Sequence, residues 1–280
     1  MKLIESKAEY IPQTDLYKHI ELCGRTAYKS EDMITESSAE GFVSRMIKSK
    51  HGAVLEHGTV YLIIPERIQN RSEEYQVLIS NPYTKAALHD RDCYITTNYR
   101  VIIENDITHM LMYTTEPTEF HEKRYTIKFT TDRGVSHELV RHRKFSFVQE
   151  SQRYCGYDKD KFGNELTFIM PQWYIDSKYD STKLNEFDKY LEQVENLYMF
   201  YRDCDMQPQE ARAILPNATK TEVLMTGFAS DWRFFFDLRY YGKTGKPHPD
   251  MELLAGKARE EFIKAGIWED IMSKPSKFDK

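Results

Sequence analysis

The sequence predicts an α+β fold, with mixed helices around a central antiparallel or mixed sheet. Segment 181–204 places Leu184, Phe187, Leu191, Val194, Leu197 and Tyr198 on one helical face. RYTIKFTTD at 124–132 instead alternates Tyr125, Ile127 and Phe129 on one side, which is strand behaviour. Helices and strands come in separate groups, without strict strand–helix–strand alternation. No repeat, low-complexity tract or Ser/Gly linker divides the chain, so residues 1–280 read as one domain.

The elements follow in order. Thr14 or Asp15 can cap a helix running to about Tyr28, and Ser37 or Ser38 can cap the next. That second helix carries Phe42, Val43, Met46 and Ile47 at helical spacing and ends before Gly52. TVYLIIP at 59–65 reads as a buried strand stopped by Pro65. Residues 66–80 read as helix and CYITTNYRVII at 93–103 as strand. A turn at 132–134 leads to a short helix through VSHELVRHR, and LTFIM at 166–170 is a short strand. Pro208 suits a helix start, with the helix ending near Pro216. TEVLMTGFA is strand or buried helix, and periodicity does not decide between them. DWRFFFDLRYY carries an Asp cap and a helical apolar stripe. PDMELLAGKAREEFIKAG is a helix between Pro249 and Gly266.

Composition narrows the function. The 280 residues suffice for a sizeable core, and the 40% hydrophobic and 13% aromatic content is that of a globular protein. Mean hydropathy of −0.65 implies a well-solvated surface. No run reaches the roughly 18 apolar residues of a membrane span. Charges inside the first apolar stretch argue against a signal peptide, so a soluble cytoplasmic protein is expected. Cys23, Cys93, Cys155 and Cys204 form no CxxC pair, which removes a zinc ribbon and a dithiol redox motif. A formal net charge of −5 argues against a whole-surface nucleic-acid binder.

Two stretches imitate zinc motifs and fail. In HELVRH the position four after His137 is Arg141, and His142 lies one further on, rotated about 100° round a helix. In HGAVLEH at 51–57, the position three before Glu56 is Ala53. No metal is expected. The cations Arg141, Arg143, Lys144 and Arg153 need another reason. A solvated basic edge is one. A nucleotide is another, since guanidinium forks suit phosphate while Gln149 and Ser151 offer neutral hydrogen bonds beside them. Ser151 and Arg153 would share a side if the segment is extended.

RHR followed by seven residues and Ser, RHRKFSFVQES at 141–151, continuing as QRY, resembles the signature of flavin-dependent thymidylate synthases. HGAVLEH at 51–57, EARAILPN at 210–217 and DLR at 237–239 resemble further blocks of that family. The resemblance covers about three-quarters of the chain and leaves an insertion at about 66–122. It implies methylation of dUMP to dTMP, with methylenetetrahydrofolate as carbon donor and FAD, reduced by NADPH, as hydride source. It also implies a homotetramer with shared active sites. Carried over by position, Glu138, Arg141, Gln149, Glu150, Ser151, Gln152, Arg153, Arg212 and Arg239 would meet dUMP. Arg239 would be catalytic, set against the uracil ring, where a cation stabilises developing negative charge. His51, Ala53, Arg141, His142, Arg143, Gln149 and Ser230 would meet FAD. The Pro-Cys-His signature of cysteine-dependent thymidylate synthases is absent, and no general base is evident beside Cys155.

The chain also departs from the family. Ala53 stands where many members place Ser or Thr. Phe228 and Ser230 stand where Asn and Arg are common. Two other readings stay open: a flavin-binding relative without activity, and a nucleic-acid module in which Phe145, Phe147 and Tyr154 stack on bases.

Overall fold

The computed structural model describes residues 1–69, 72–159 and 163–279. Its strands are β1 Lys2–Ile4, β2 Lys7–Tyr10, β3 Thr59–Ile64, β4 Lys85–His89, β5 Asp92–Asn98, β6 Arg124–Asp132, β7 Ser146–Gln149, β8 Thr167–Ile169 and β9 Lys220–Phe228. The central sheet has the order β2-β6-β9-β7 and is antiparallel throughout. A second antiparallel sheet has the order β3-β5-β4, and β1 pairs with β8 in parallel. Helices and strands are grouped, as the α+β reading expects. No helix is long and apolar enough to cross a membrane among the described residues.

β9 settles the ambiguity of TEVLMTGFA. Every residue from Thr221 to Phe228 is buried, because both faces of this central strand are covered. A strand covered on both faces loses its period-2 signature. Its register sets Arg124 opposite Phe228 and Asp132 opposite Lys220. On one face, Ile127, Phe129, Val223 and Met225 pack with Trp232, Phe235 and Phe236 of helix Ala229–Arg239 and with Phe262 of helix Pro249–Lys264. A second core joins Ile20 of helix Leu16–Tyr28 and Phe42 of helix Ser38–Lys48 to Leu62 of β3 and Ile95 of β5. A third forms around Phe168, Leu191 and Tyr198.

Local chemistry accounts for several helix starts. The Asp15 carboxylate accepts from Lys18 N at 2.8 Å and starts the first helix. The Asp132 carboxylate does the same for Val135 N at 2.7 Å. Several expectations are overturned. The strand expected over 93–103 stops at Asn98, whose side chain accepts from Val101 N at 3.2 Å and caps a helix over Tyr99–Glu104. The helix expected over 66–80 appears as Glu66–Gln69 and Glu73–Ser80, while Asn70 and Arg71 lie outside the described residues. β4 was not anticipated, because KAALH is a half-exposed edge strand without apolar alternation. The helix expected through VSHELVRHR ends at Leu139, so Arg141, His142 and Arg143 sit in the turn beyond it. Nor is 151–155 extended: Cys155 N donates to Ser151 O at 3.0 Å and closes a turn. Asp231 lies in the first turn of its helix, not at the cap, because the helix already begins at Ala229.

Candidate active site

The turn after helix Arg133–Leu139 and the end of helix Ala229–Arg239 meet at Arg239. Its Nη1 donates to Glu138 Oε2 at 2.8 Å, and Nη2 donates to the Glu138 backbone oxygen at 3.2 Å. Nε donates to His142 Nε2 at 3.0 Å. A guanidinium has five N–H donors, so two remain for a ligand. The side chain is 21% exposed, which leaves that edge within reach of solvent. The result is a cation with fixed orientation and an open edge. Such a group stabilises negative charge developing on a ring placed against it.

His142 is buried against the edges of Phe145 and Phe235. Burial, and then the Arg239 charge, lower its pKa to about 4. The imidazole is therefore neutral, and its Nε2 accepts from Arg239. That arrangement assigns the ring proton to Nδ1. Burial likewise lowers the pKa of His19 to about 4. A histidine kept neutral in the folded state binds fewer protons than the unfolded chain between pH 4 and 6.5. Its stabilisation is complete above 6.5 and declines as the pH falls towards 4. Urea midpoints are expected to drop across that window. His142→Gln should reduce the slope, and an unchanged slope would show that His142 does not contribute.

A second group surrounds the end of β7. Gln149 Nε2 donates to Ser136 Oγ at 3.0 Å and to Thr221 Oγ1 at 3.2 Å. Glu150 is 2% exposed, so its carboxylate faces inward, where it accepts from Lys220 Nζ at 2.8 Å. The Ser151 backbone N donates to Ala27 O at 2.9 Å, and Gln152 is buried. Arg141, Arg153 and Arg212 are exposed. Arg133 stands half-buried beside this group, and its Nη1 donates to Thr221 Oγ1 at 3.4 Å. Burial lowers its pKa, and the neighbouring Arg212 charge lowers it further. Sequence reasoning passed over Arg133 and Lys220. The β6–β9 register sets Arg133 and Lys220 side by side, the β7–β9 pairing brings Glu150 to Lys220, and no local motif marks either cation.

Glu222 closes this group from below. Its carboxylate meets Lys29 Nζ at 2.7 Å, Lys128 Nζ at 2.9 Å and Lys220 Nζ at 2.7 Å. Burial opposes its charge, but the three ammonium groups outweigh burial and hold the carboxyl far below the usual carboxylate range.

A third group lies beyond β9. Arg143, Lys144 and Phe228 line a cavity of about 250 Å³ with Tyr83, Lys85 and Asp231. Ser230 accepts from Lys85 Nζ at its Oγ, and its backbone N donates to Glu122 Oε1 at 3.0 Å. His51 and Ala53 are exposed at the start of helix Gly52–Leu55. No side-chain hydrogen bond or ion pair joins His51 to the other groups among the described residues. Among the described residues, no set of three or more His, Cys, Asp or Glu side chains is placed to hold a metal ion. Cys155 is fully buried.

Residues 70–265 match the family described as thymidylate synthase complementing protein. The flavin-dependent thymidylate synthase of Pyrococcus furiosus is 31% identical over 151 residues, which cover 51% of this chain and 59% of that relative. A probable flavin-dependent thymidylate synthase of Paramecium bursaria Chlorella virus 1 is 30% identical over 145 residues, covering 50% of this chain and 66% of that relative. The chain thus spans between 42% and 66% of the length of the curated relatives it matches. A UMP/dUMP methylase, PolB from Streptomyces cacaoi, superposes over 98% of this chain and 97% of its own with a TM-score of 0.48 at 16% identity. Since the family match takes in 70–265 of 280 residues, well over half of the sequence, the chain belongs to the thymidylate synthase complementing protein family.

Proposed function

We propose that the chain is a flavin-dependent thymidylate synthase. It methylates dUMP to dTMP, with methylenetetrahydrofolate as carbon donor, FAD as cofactor and NADPH as reductant. The observation that carries this reading is the Arg239 clamp, a guanidinium held by Glu138 and His142 with two donors left over. Set against the uracil ring, it favours the negative form of the pyrimidine, which makes the ring carbon nucleophilic without a thiol. His142 is neutral and acts here by orienting Arg239. Arg141, Arg153 and Arg212, all exposed, serve the phosphate of dUMP, and Gln149 and Ser151 supply neutral hydrogen bonds. Glu150 and Gln152, both buried, act from behind that segment by fixing its backbone.

The residues present fit a flavin nucleotide. Arg143, Lys144 and Lys85 offer cations to its phosphates around a cavity that also presents the Phe228 and Tyr83 rings. When bound and reduced, the flavin supplies the hydride. Ser230 approaches the cofactor through Lys85, while His51 and Ala53 meet it at a separate surface. A single chain presents these groups in different places, which suits a homotetramer whose active sites combine residues of several subunits. The reading places the protein in the cytoplasm. Phe145 packs on Trp232 at 4.8 Å between ring centroids and is buried, so it is not an open platform for a nucleic-acid base.

The test follows the flavin spectrum of the purified protein with FAD under anaerobic reduction. Reoxidation that requires both dUMP and methylenetetrahydrofolate, with dTMP formed, is the expected result. A flavin that binds and never turns over overturns the activity. Failure to bind FAD overturns the cofactor.

A further inference from the structure

We propose that Lys85, on edge strand β4 of the 66–122 segment, is a phosphate-binding residue of the flavin site; this rests on the flavin reading above. β4 is an outer strand of the second sheet, yet it delivers Lys85 to the far end of β9. There its Nζ pairs with Glu122 Oε1 at 2.7 Å, donates to Ser230 Oγ and lies 4.5 Å from the centre of the Phe228 ring. An ammonium has three donors. Glu122 and Ser230 take two, and the third is left for the cavity.

The other walls of the cavity fit the same ligand chemistry. Arg143 is exposed and makes no side-chain hydrogen bond or ion pair among the described residues. Lys144 is 72% exposed and reaches Asp231 only at 3.9 Å, so that contact is weak. Three cations therefore face one lining carboxylate. Phe228 gives one face to Lys85, and Tyr83 stands 49% exposed among the lining residues. A space of about 250 Å³ takes a phosphate and one ring, not a whole dinucleotide. Lys144 and Arg143 are loosely held, long side chains. Lys85 is the positioned one, fixed by two hydrogen bonds to groups of separate elements. Ser230 has no charge of its own, so the fixed charge at this end of the cavity comes from β4.

Comparing FAD, FMN and riboflavin tests the assignment, with binding read from quenching of flavin fluorescence. Lys85→Met keeps the stem and removes the charge. It is expected to weaken FAD and FMN by about tenfold or more, the effect of a charge-assisted hydrogen bond. Riboflavin, which has no phosphate, should bind the variant and the parent alike. Lys85→Arg should keep most of the FAD affinity, which separates lost charge from lost packing. Equal FAD affinity in the parent and Lys85→Met overturns the role of Lys85 and leaves the proposed function standing. An equal loss for riboflavin also overturns it, since the effect would not come from phosphate. Failure of the parent protein to bind any of the three removes the flavin reading, and this inference with it.

Discussion

Replacing Arg239 with alanine is expected to lower dTMP formation by about 10²–10³-fold, the usual effect of removing one fixed donor from a developing anion. The fold should survive. Arg239 is partly exposed, and its neighbours Glu138 and His142 are flanked by Leu139 and Phe145, which are anchored in the core. Arg239→Lys should recover little, because an ammonium is a point charge and cannot span Glu138 and His142 as a planar fork does. NMR titration supplies a second readout. The Arg239 charge is one cause of the low pKa of His142, so the alanine variant should titrate His142 nearer to 6.5. Near-normal turnover in Arg239→Ala would remove the residue from the reaction. An unmoved His142 titration would contradict the contact between the two side chains.

Glu222→Gln is expected to cost about 3–5 kcal/mol of stability, the range found when one partner of a buried ion pair is removed. The amide keeps the shape of the side chain. It leaves Lys29, Lys128 and Lys220 converging without the carboxylate that all three share. Glu150 and Glu31 remain, but each pairs with only one of these lysines. The sign with pH follows from the depressed carboxyl. Stability from Glu222 is complete above its ordinary value of 4.5 and is lost as the pH falls through the lower folded value. The variant should therefore lose stability mainly at neutral pH and show a flatter acid limb. Chemical denaturation at pH 7 and at pH 3 separates the two. A uniform loss at both would place the effect in packing. The cage also ties the end of the first helix to β6, β9 and the segment after β7, so KM for dUMP should rise in the same variant.

Much of this fold could be read from the chain alone, and the reasons are local. Helix 181–203 shows because its solvent face is polar. β6 shows because its alternating face is covered by a helical layer. Capping side chains such as Asp15 and Asp132 act within three residues. β9, by contrast, is buried on both faces, and its residues carry no period.

The candidate site was legible in its parts but not in its assembly. Gln149 and the RHR turn stand out by residue type and spacing, and Arg239 only through the resemblance of DLR to a family block. Their local geometry did not follow, since RHR lies in a turn and Glu150 points inward. Chain and charge determined a family, an α+β fold and a set of cations suited to phosphate. Tertiary structure alone decided which cations are fixed. Arg239 meets His142 across 97 residues, Lys29 meets Glu222 across 193, and Lys85 meets Ser230 across 145. Such pairings depend on how sheets and helices close on one another, and hydrogen bonds between distant segments leave no periodic trace in the sequence.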